Sequence, residues 1–346
     1  MNLYLDDEPC KTSLYPFTHM RHAADIRIGI CTIREKWERI TGLPVIASAD
    51  EIVGSTVVIP AQIIPCASSA FEIIQAAANN NSVSEGETVK ILHHPWQIFQ
   101  YNDWALRHDY DSITKYRESQ PISATNHCIN PQQIFLEQGA SVECCILNAS
   151  LGPIYIGKNA QIMEGSMIRG PFSAGDSATV KMGARIYGAT TVGPHCVVGG
   201  EIKNAVLFGY SNKAHDGYLG DSVLGEWCNI GAGTSNSNVK NTGGEVRYVT
   251  GNDTQPVSAG NKAGLLMGDF SRCAINTSFN TGTIIGVCCN IFGESPSKFV
   301  NDFSWGKETY IFEKVLSDIR NWKKMKGQEL SERETSLLKG LYYKKG

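Results

Sequence analysis

The sequence has no basic excess: 31 Lys and Arg stand against 34 Asp and Glu, for a formal net charge of −3. With no basic stripe either, binding to nucleic acid through charge alone is excluded. No run approaches ~18 uninterrupted apolar residues, so no membrane association through a spanning helix is expected. The first ten residues, MNLYLDDEPC, carry two Asp and a Glu where a secretory leader needs a basic start and an apolar stretch. A cytoplasmic protein is the expectation. C-x-x-C is also missing, and the 11 cysteines are odd in number and scattered, with adjacent pairs at Cys144/Cys145 and Cys288/Cys289. They read as reduced core thiols acting as small hydrophobes. The HHPW string at 93–96 suggests a metal cluster, but neighbouring side chains on a strand point to opposite faces, and no metal site is assigned.

What is present is 42% hydrophobic residues with 19% charged, enough to bury a core, over a length that suggests about two domains. A period of six dominates the second of them. Apolar or small residues recur at Ile156, Ile162, Ile168, Ala174, Val180, Ile186, Val192 and Val198. A second set follows each by four: Ala160, Ser166, Phe172, Ala178, Ala184, Thr190, Cys196 and Ile202. The pattern returns at Leu224 and Ile230, and again from Met267 through Cys273, Phe279 and Ile285 to Ile291. Six residues match neither the amphipathic helix nor simple alternation, but they suit short strands joined by turns, each sending one aliphatic side chain inward. Three such strands make a triangular coil of about 18 residues, and coils stack at ~4.8 Å. The expected architecture is a parallel β-helix.

Two interruptions break the period, one between Phe208 and Leu219 and one over residues 235–264, which is rich in Asn, Thr and Gly and reads as a long loop. Interruptions of a solenoid are where loops leave the body and function tends to sit. From about Lys307, charged residues alternate with Phe312, Leu316, Ile319 and Trp322, then Leu337, Leu338 and Leu341, predicting amphipathic helices that close the last coil. The N-terminal third differs: strand-like IRIGICTI, VVIPAQII and VKILHHPWQIF alternate with helical REKWERI, SAFEIIQAAANN and WALRHDY. That alternation predicts a small α/β domain. The expected division is 1–120, 121–303 and 304–346, for an α+β chain of an α/β domain, a β-helix and a helical cap.

The string KNAVLFGYSNKAHDGYLGDSVLGEWCNIGAGTSNSN resembles the acetyltransferase half of the bifunctional GlmU family, with a K-A-x-H or K-A-H segment, Y-x-G-D, and N-x-G-A-G-T before an Asn. The opening LYLDDEPCKTSLYPFTHMRHAADIRIGICTIREKW is similar to the divergent sugar nucleotidyltransferase domain of GlmU-like proteins of the Bacteroides group. The resemblance implies a left-handed β-helix, a homotrimer with sites in the clefts between subunits, and acetyl-CoA-dependent N-acetylation of an amino-sugar 1-phosphate, glucosamine 1-phosphate foremost. It implies His215 as the base, Lys203 and Arg185 as phosphate contacts, and Tyr218, Asn229 and Asn238 as hydrogen-bond partners of the sugar or N-acetyl group. For acetyl-CoA it implies the Ala232 backbone N–H, with Asn276 and Gly293 along the groove between coils.

Other readings stand beside these. An Asn in a solenoid turn equally suits a left-handed corner, and Lys203 and Arg185 equally suit a solvated flat face. In the first domain the family's Gly-rich phosphate loop is replaced by LDDEPCKTSLYPFTHMR, which contains no Gly. Only Lys11, Arg21 and Arg27 could supply cations to a nucleotide there, and Asp6 and Asp7 would repel one unless Mg²⁺ intervened. Mg²⁺ is therefore expected only if nucleotidyl transfer persists. The competing functions are sugar-1-phosphate nucleotidyl transfer as the main activity and a non-catalytic trimeric scaffold that binds sugar nucleotides.

Overall fold

The computed structural model describes residues 1–346 apart from 47, 53, 251–254, 294 and 345–346. From His127 onward the chain winds into a left-handed parallel β-helix, its strands stacked into one 13-stranded and one 10-stranded ladder. The hexads set the register: Ile154 lies beside Phe172 and Phe172 beside Thr190, while Ile162 pairs with Val180 and Val180 with Val198. Corner contacts repeat the 18-residue offset, as in Lys158 N–H to Asp176 and Cys289 N–H to Ser271. Both periodic sets point inward and are buried, forming one continuous core from Ile134 to Ile291. Cys196, Cys228, Cys273 and Cys289 belong to it. Burial pushes the thiol of Cys196 up to about 12, so it packs as an unreactive small hydrophobe.

Residues 209–220, read from the sequence as a departing loop, stay in the body. Asn212–Lys213 is a strand beside Val197–Val198, in a shortened coil where the offset falls to 15. The second interruption is a true excursion, spanning a 43-residue offset between Ser222 and Leu265. It carries an antiparallel pair, Arg247–Tyr248 with Val257–Ser258, and drives Tyr248 into a stack on Trp96 at 5.0 Å. Residues 251–254 of that segment lie outside the described residues.

The N-terminal segment contains β1 (Asn2–Asp6), α1 (Ile33–Thr41), β2 (Val45–Ile46), β3 (Thr56–Pro60), α2 (Ala70–Ala78), α3 (Gln97–Gln100) and α4 (Asn102–Thr114), with a parallel sheet ordered β2-β1-β3. The three helical stretches read from the sequence are α1, α2 and α4. IRIGICTI, however, is a tight turn and not a strand. Gly29 adopts φ +73° there, and the N–H groups of Gly29, Ile30 and Cys31 donate to Asn102 and Asp109 of α4 instead of to a neighbouring strand. VKILHHPWQIF also divides, into the short strand Val89–Ile91 and α3.

This segment shares its core with the β-helix. Leu3, Leu5, Phe17 and Trp37 form one buried cluster with Val206, Phe208, Val223, Leu266 and Ile284, which project outward from the prism. A segment of this size has a poor ratio of volume to surface, and the prism face supplies the apolar wall that it lacks. Polar ties run along one corner of the prism. Asp269 and Asp302 each accept a backbone N–H from the preceding coil, from Glu226 and Val287 respectively. Arg21 donates to Asp269 at 2.8 Å, and Tyr15 and His19 engage the two oxygens of Asp302, both at 2.9 Å.

Helices α5 (Phe312–Met325) and α6 (Glu332–Tyr343) do not cap the last coil as the sequence suggested. The hairpin of Ser304–Trp305 with Glu308–Thr309 extends the ladder at that end, and α5 turns back along a prism edge. That edge carries a column of large residues in left-handed conformation, Tyr210, Trp227, Phe270 and Phe303, whose exposed apolar faces need a cover. Fourteen helical residues span about 21 Å, roughly the height of four stacked coils. Past the end of α5, Lys326 therefore reaches the carbonyls of His195 and Tyr210, at 2.9 and 3.0 Å.

The shared core yields a prediction. Arg21→Ala leaves Asp269 fully buried without its cation, and we expect a loss of about 3–5 kcal/mol. It should appear as a lower urea midpoint within a single unfolding transition, because the two regions share one core. Two separated transitions in the wild-type protein would contradict the shared core.

Candidate functional site

One prism corner gathers the acetyltransferase-like residues. The registers Val198 to Lys213 and Ile230 to Cys273 stack Gly200, His215, Ala232 and Ile275 above one another. Beside this column lies a pocket of about 470 Å³, lined by His215, Asn229 and Ala232 from the coils and by Trp322, Met325 and Lys326 from the α5 end. The His215 side chain is exposed to it. The Ala232 carbonyl accepts the N–H of Asn276 at 2.7 Å, which fixes the turn, while the Ala232 N–H makes no backbone bond among the described residues. Gly231 could not be replaced there, since a Cβ would lie 2.4 Å from the backbone of Ala274.

Other candidates stand on the adjacent flat face. Asn238 bridges the Tyr218 hydroxyl at 3.1 Å and the Asp221 carboxylate at 2.5 Å, and Asn204 donates to the other Asp221 oxygen at 2.7 Å. Burial, helped by Asp221, pushes the Tyr218 phenol up to about 12, keeping it a neutral hydrogen-bonding group. Its ring lies over Gly220, where a Cβ would come within 2.2 Å of the hydroxyl. Lys203 sits in register between Tyr187 and Gly220 on this face. Arg185 faces Glu201 at 3.8 Å and lines a separate hollow of about 250 Å³ with Arg169 and Tyr187. The structure thus groups His215 with Asn229 and Ala232, and Tyr218 with Asn238.

The remaining candidates are dispersed. Asn276 has φ +56°, and its side-chain oxygen lies 2.1 Å from where a Gly233 Cβ would be, as befits a left-handed corner residue. Gly293 lies two coils beyond Ala232 and lines a different cavity with Phe292 and Trp305. Lys11 is exposed beside Glu8, Arg27 holds the carbonyl of Ile30, and Arg21 is committed to Asp269 and Glu226. These three cations do not converge on a common site. Asp7 turns inward to the N–H of Ala23, and among the described residues no group of three or more His, Cys, Asp or Glu could hold a metal ion. No helix among the described residues is long and apolar enough to cross a membrane.

Several residues of this region were not singled out by the motif. Trp322, Met325 and Lys326 arrive from roughly 90 to 110 residues further along the chain, with no local signal that they reach this site. Asp221 lay within the motif, but its role as the acceptor for Asn204 and Asn238 is visible only in the fold. Lys213 is the Lys of the K-A-H segment, but the sequence does not show that it is buried inside the prism, where burial pushes its ammonium down to about 8.

Comparisons with known proteins give partial matches. The sugar nucleotidyl transferase family matches residues 3–53. The bifunctional protein GlmU of Trichodesmium erythraeum is 42% identical over 86 residues, 24% of this chain and 18% of that protein. That of Synechococcus elongatus is 35% identical over 97 residues, 26% of this chain and 22% of the relative. That of Methanocaldococcus jannaschii is 29% identical over 121 residues, 33% of this chain and 28% of the relative. In each case the match spans less than a third of the curated relative's own length. Fold and site together define a hexapeptide-repeat β-helix protein fronted by a sugar-nucleotidyltransferase-type segment. Within that class the chain is similar to the bifunctional GlmU proteins over part of their length, and to the sugar nucleotidyl transferase family at residues 3–53.

The Lys213 environment sets a pH dependence. Its folded-state value is about 8 and lies below that of the unfolded chain, which therefore binds more protons from about pH 8 up to the ordinary lysine range. In that window the Lys213 contribution to stability rises with pH. Lys213→Met removes it, so the stability gap between variant and wild type, measured by urea unfolding, should shift in favour of wild type as pH rises from 8 to 10.

Proposed function

We propose that the chain is a transferase that N-acetylates an amino-sugar 1-phosphate, glucosamine 1-phosphate foremost, with acetyl-CoA as donor, for nucleotide-sugar synthesis. The observation that carries this reading is the convergence of His215, Asn229 and the Ala232 turn on one pocket. The amine nitrogen attacks the thioester carbonyl as the His215 imidazole takes its proton. Negative charge then builds on the carbonyl oxygen, where the Ala232 N–H is the available donor. Collapse breaks the carbon–sulfur bond, and the leaving thiolate recovers the proton from the imidazolium. Asn229 holds the acceptor in the pocket. Tyr218 and Asn238 offer a neutral hydroxyl and an amide to the sugar, and Lys203 and Arg185 provide cations for its phosphate.

The flat face supports assembly as a homotrimer. Ile146 and Met167 are exposed register neighbours, and Ile129 and Tyr187 are exposed in the column beside them that also holds Lys203, so this face offers apolar surface for a second prism to pack near Tyr218 and Lys203. A second reading, nucleotidyl transfer to the sugar 1-phosphate, is favoured by the family match at residues 3–53. The separation of Lys11, Arg21 and Arg27 makes it the less favoured activity.

The test is thiol release from acetyl-CoA with glucosamine 1-phosphate, run on wild type and His215→Ala. Loss of the base is expected to lower kcat by about 10²–10⁴-fold. A folded wild-type protein with no release against any amino-sugar phosphate would move the assignment to a binding or scaffold role. Pyrophosphate release from UTP and a sugar 1-phosphate in the presence of Mg²⁺ would establish the second reading.

A further inference from the structure

We propose that Lys213 is the positioning residue of the His215 segment: from inside the prism its ammonium holds the carbonyls of Gly199 and His215, and so directs the imidazole outward into the pocket. This rests on the reading of His215 as the base. Lys213 occupies a rung of the inward ladder that other coils fill with Val180, Val198, Ile230 and Cys273, and it is 1% exposed. A cation in an apolar interior is costly unless it is hydrogen-bonded. The ammonium of Lys213 donates to Gly199 O at 3.1 Å and to His215 O, with no carboxylate bonded to it among the described residues.

The other corners show why an ammonium is used here. Inward carbonyls elsewhere are capped by hydroxyls: Ser166 on Lys181, Ser211 on Gly225, Thr234 on Ala274 and Ser271 on Gly286, at 2.6–3.1 Å. The coil that carries His215 is shortened, and its corner is tight enough that a Cβ on Gly200 would lie 2.8 Å from His215 O. The caps elsewhere are short side chains; of these four, Ser211 also lies within 3.3 Å of a second carbonyl, that of Gly209 two residues back on its own coil. Lys213 spans two, and one of them belongs to His215 itself. The charges that act on it are Asp216, which favours the cation, and Arg185, which opposes it, while the neighbouring Cys273 thiol is kept neutral by burial. No local rule of solenoid packing asks for Lys at this rung, where an aliphatic residue would pack better. Its use follows from the need to tie the His215 turn to the coil before it.

The test uses the full-length protein with ¹³C-labelled histidine rings. Lys213→Met is expected to fold, to lower kcat for acetyl transfer at least 10-fold with KM for acetyl-CoA within 2-fold, and to move the His215 ring resonance while the other seven of the 8 histidines stay in place. Lys213→Gln, which keeps a donor for one carbonyl, should recover part of both effects. A folded Lys213→Met protein with kcat within 2-fold of wild type and an unmoved His215 resonance overturns the proposal. If wild type shows no acetyl transfer, the function assigned to His215 fails, and the ring resonance alone decides whether Lys213 positions it. If the Met variant does not fold, the comparison is made with Lys213→Gln, and an unmoved resonance there overturns the proposal equally.

Discussion

Each coil of the prism is bound to the next by parallel backbone hydrogen bonds, and every side chain of interest takes its position from that ladder. Within the unbroken hexads two residues 18 apart lie one strand spacing from each other whatever their identity, as Gln161 and Thr179 do. His215, Ala232 and Ile275 form a column because the register passes unbroken through a shortened coil on one side and a long excursion on the other. The interior tolerates little variation, and Lys213 is tolerated because it is hydrogen-bonded on both sides.

The prism also organises what surrounds it. A flat β-helix face is a wide apolar surface, and the N-terminal segment uses it as half of its own core. The contacts that fix this docking, Arg21 to Asp269 and Tyr15 with His19 to Asp302, engage carboxylates that the coils already use to cap their own corners. One set of aspartates therefore serves two purposes. This bears on function, since Arg21, a candidate cation for nucleotide phosphate, is drawn into docking the segment.

At another edge, a column of aromatic corner residues recruits α5 along its length. Covering that column brings Trp322, Met325 and Lys326 to the rim of the pocket, so an element that shields apolar surface also walls the site. Lys326 fixes the end of the helix on backbone carbonyls of the coils, one of them that of His195. The candidate site is thus closed on one side by its own chain, and its flat face remains open toward a neighbouring subunit in the proposed trimer.

The sequence by itself determined the β-helix and its inward residues, because a six-residue period has one physical solution in short strands with tight corners. It also marked His215, Asn229 and Ala232 as candidates, but their meeting at one pocket depends on the shortened coil staying in the ladder. It misread IRIGICTI as a strand, because the acceptors for those N–H groups lie on α4, some seventy residues on. It likewise read 209–220 as a loop, because a shortened coil breaks the period without leaving the ladder. Only the tertiary structure decided where α5 lies, which cations remain free, and that Lys213 points inward beneath His215. Those outcomes depend on which distant surfaces meet, and no local pattern of residues encodes the meeting of two surfaces.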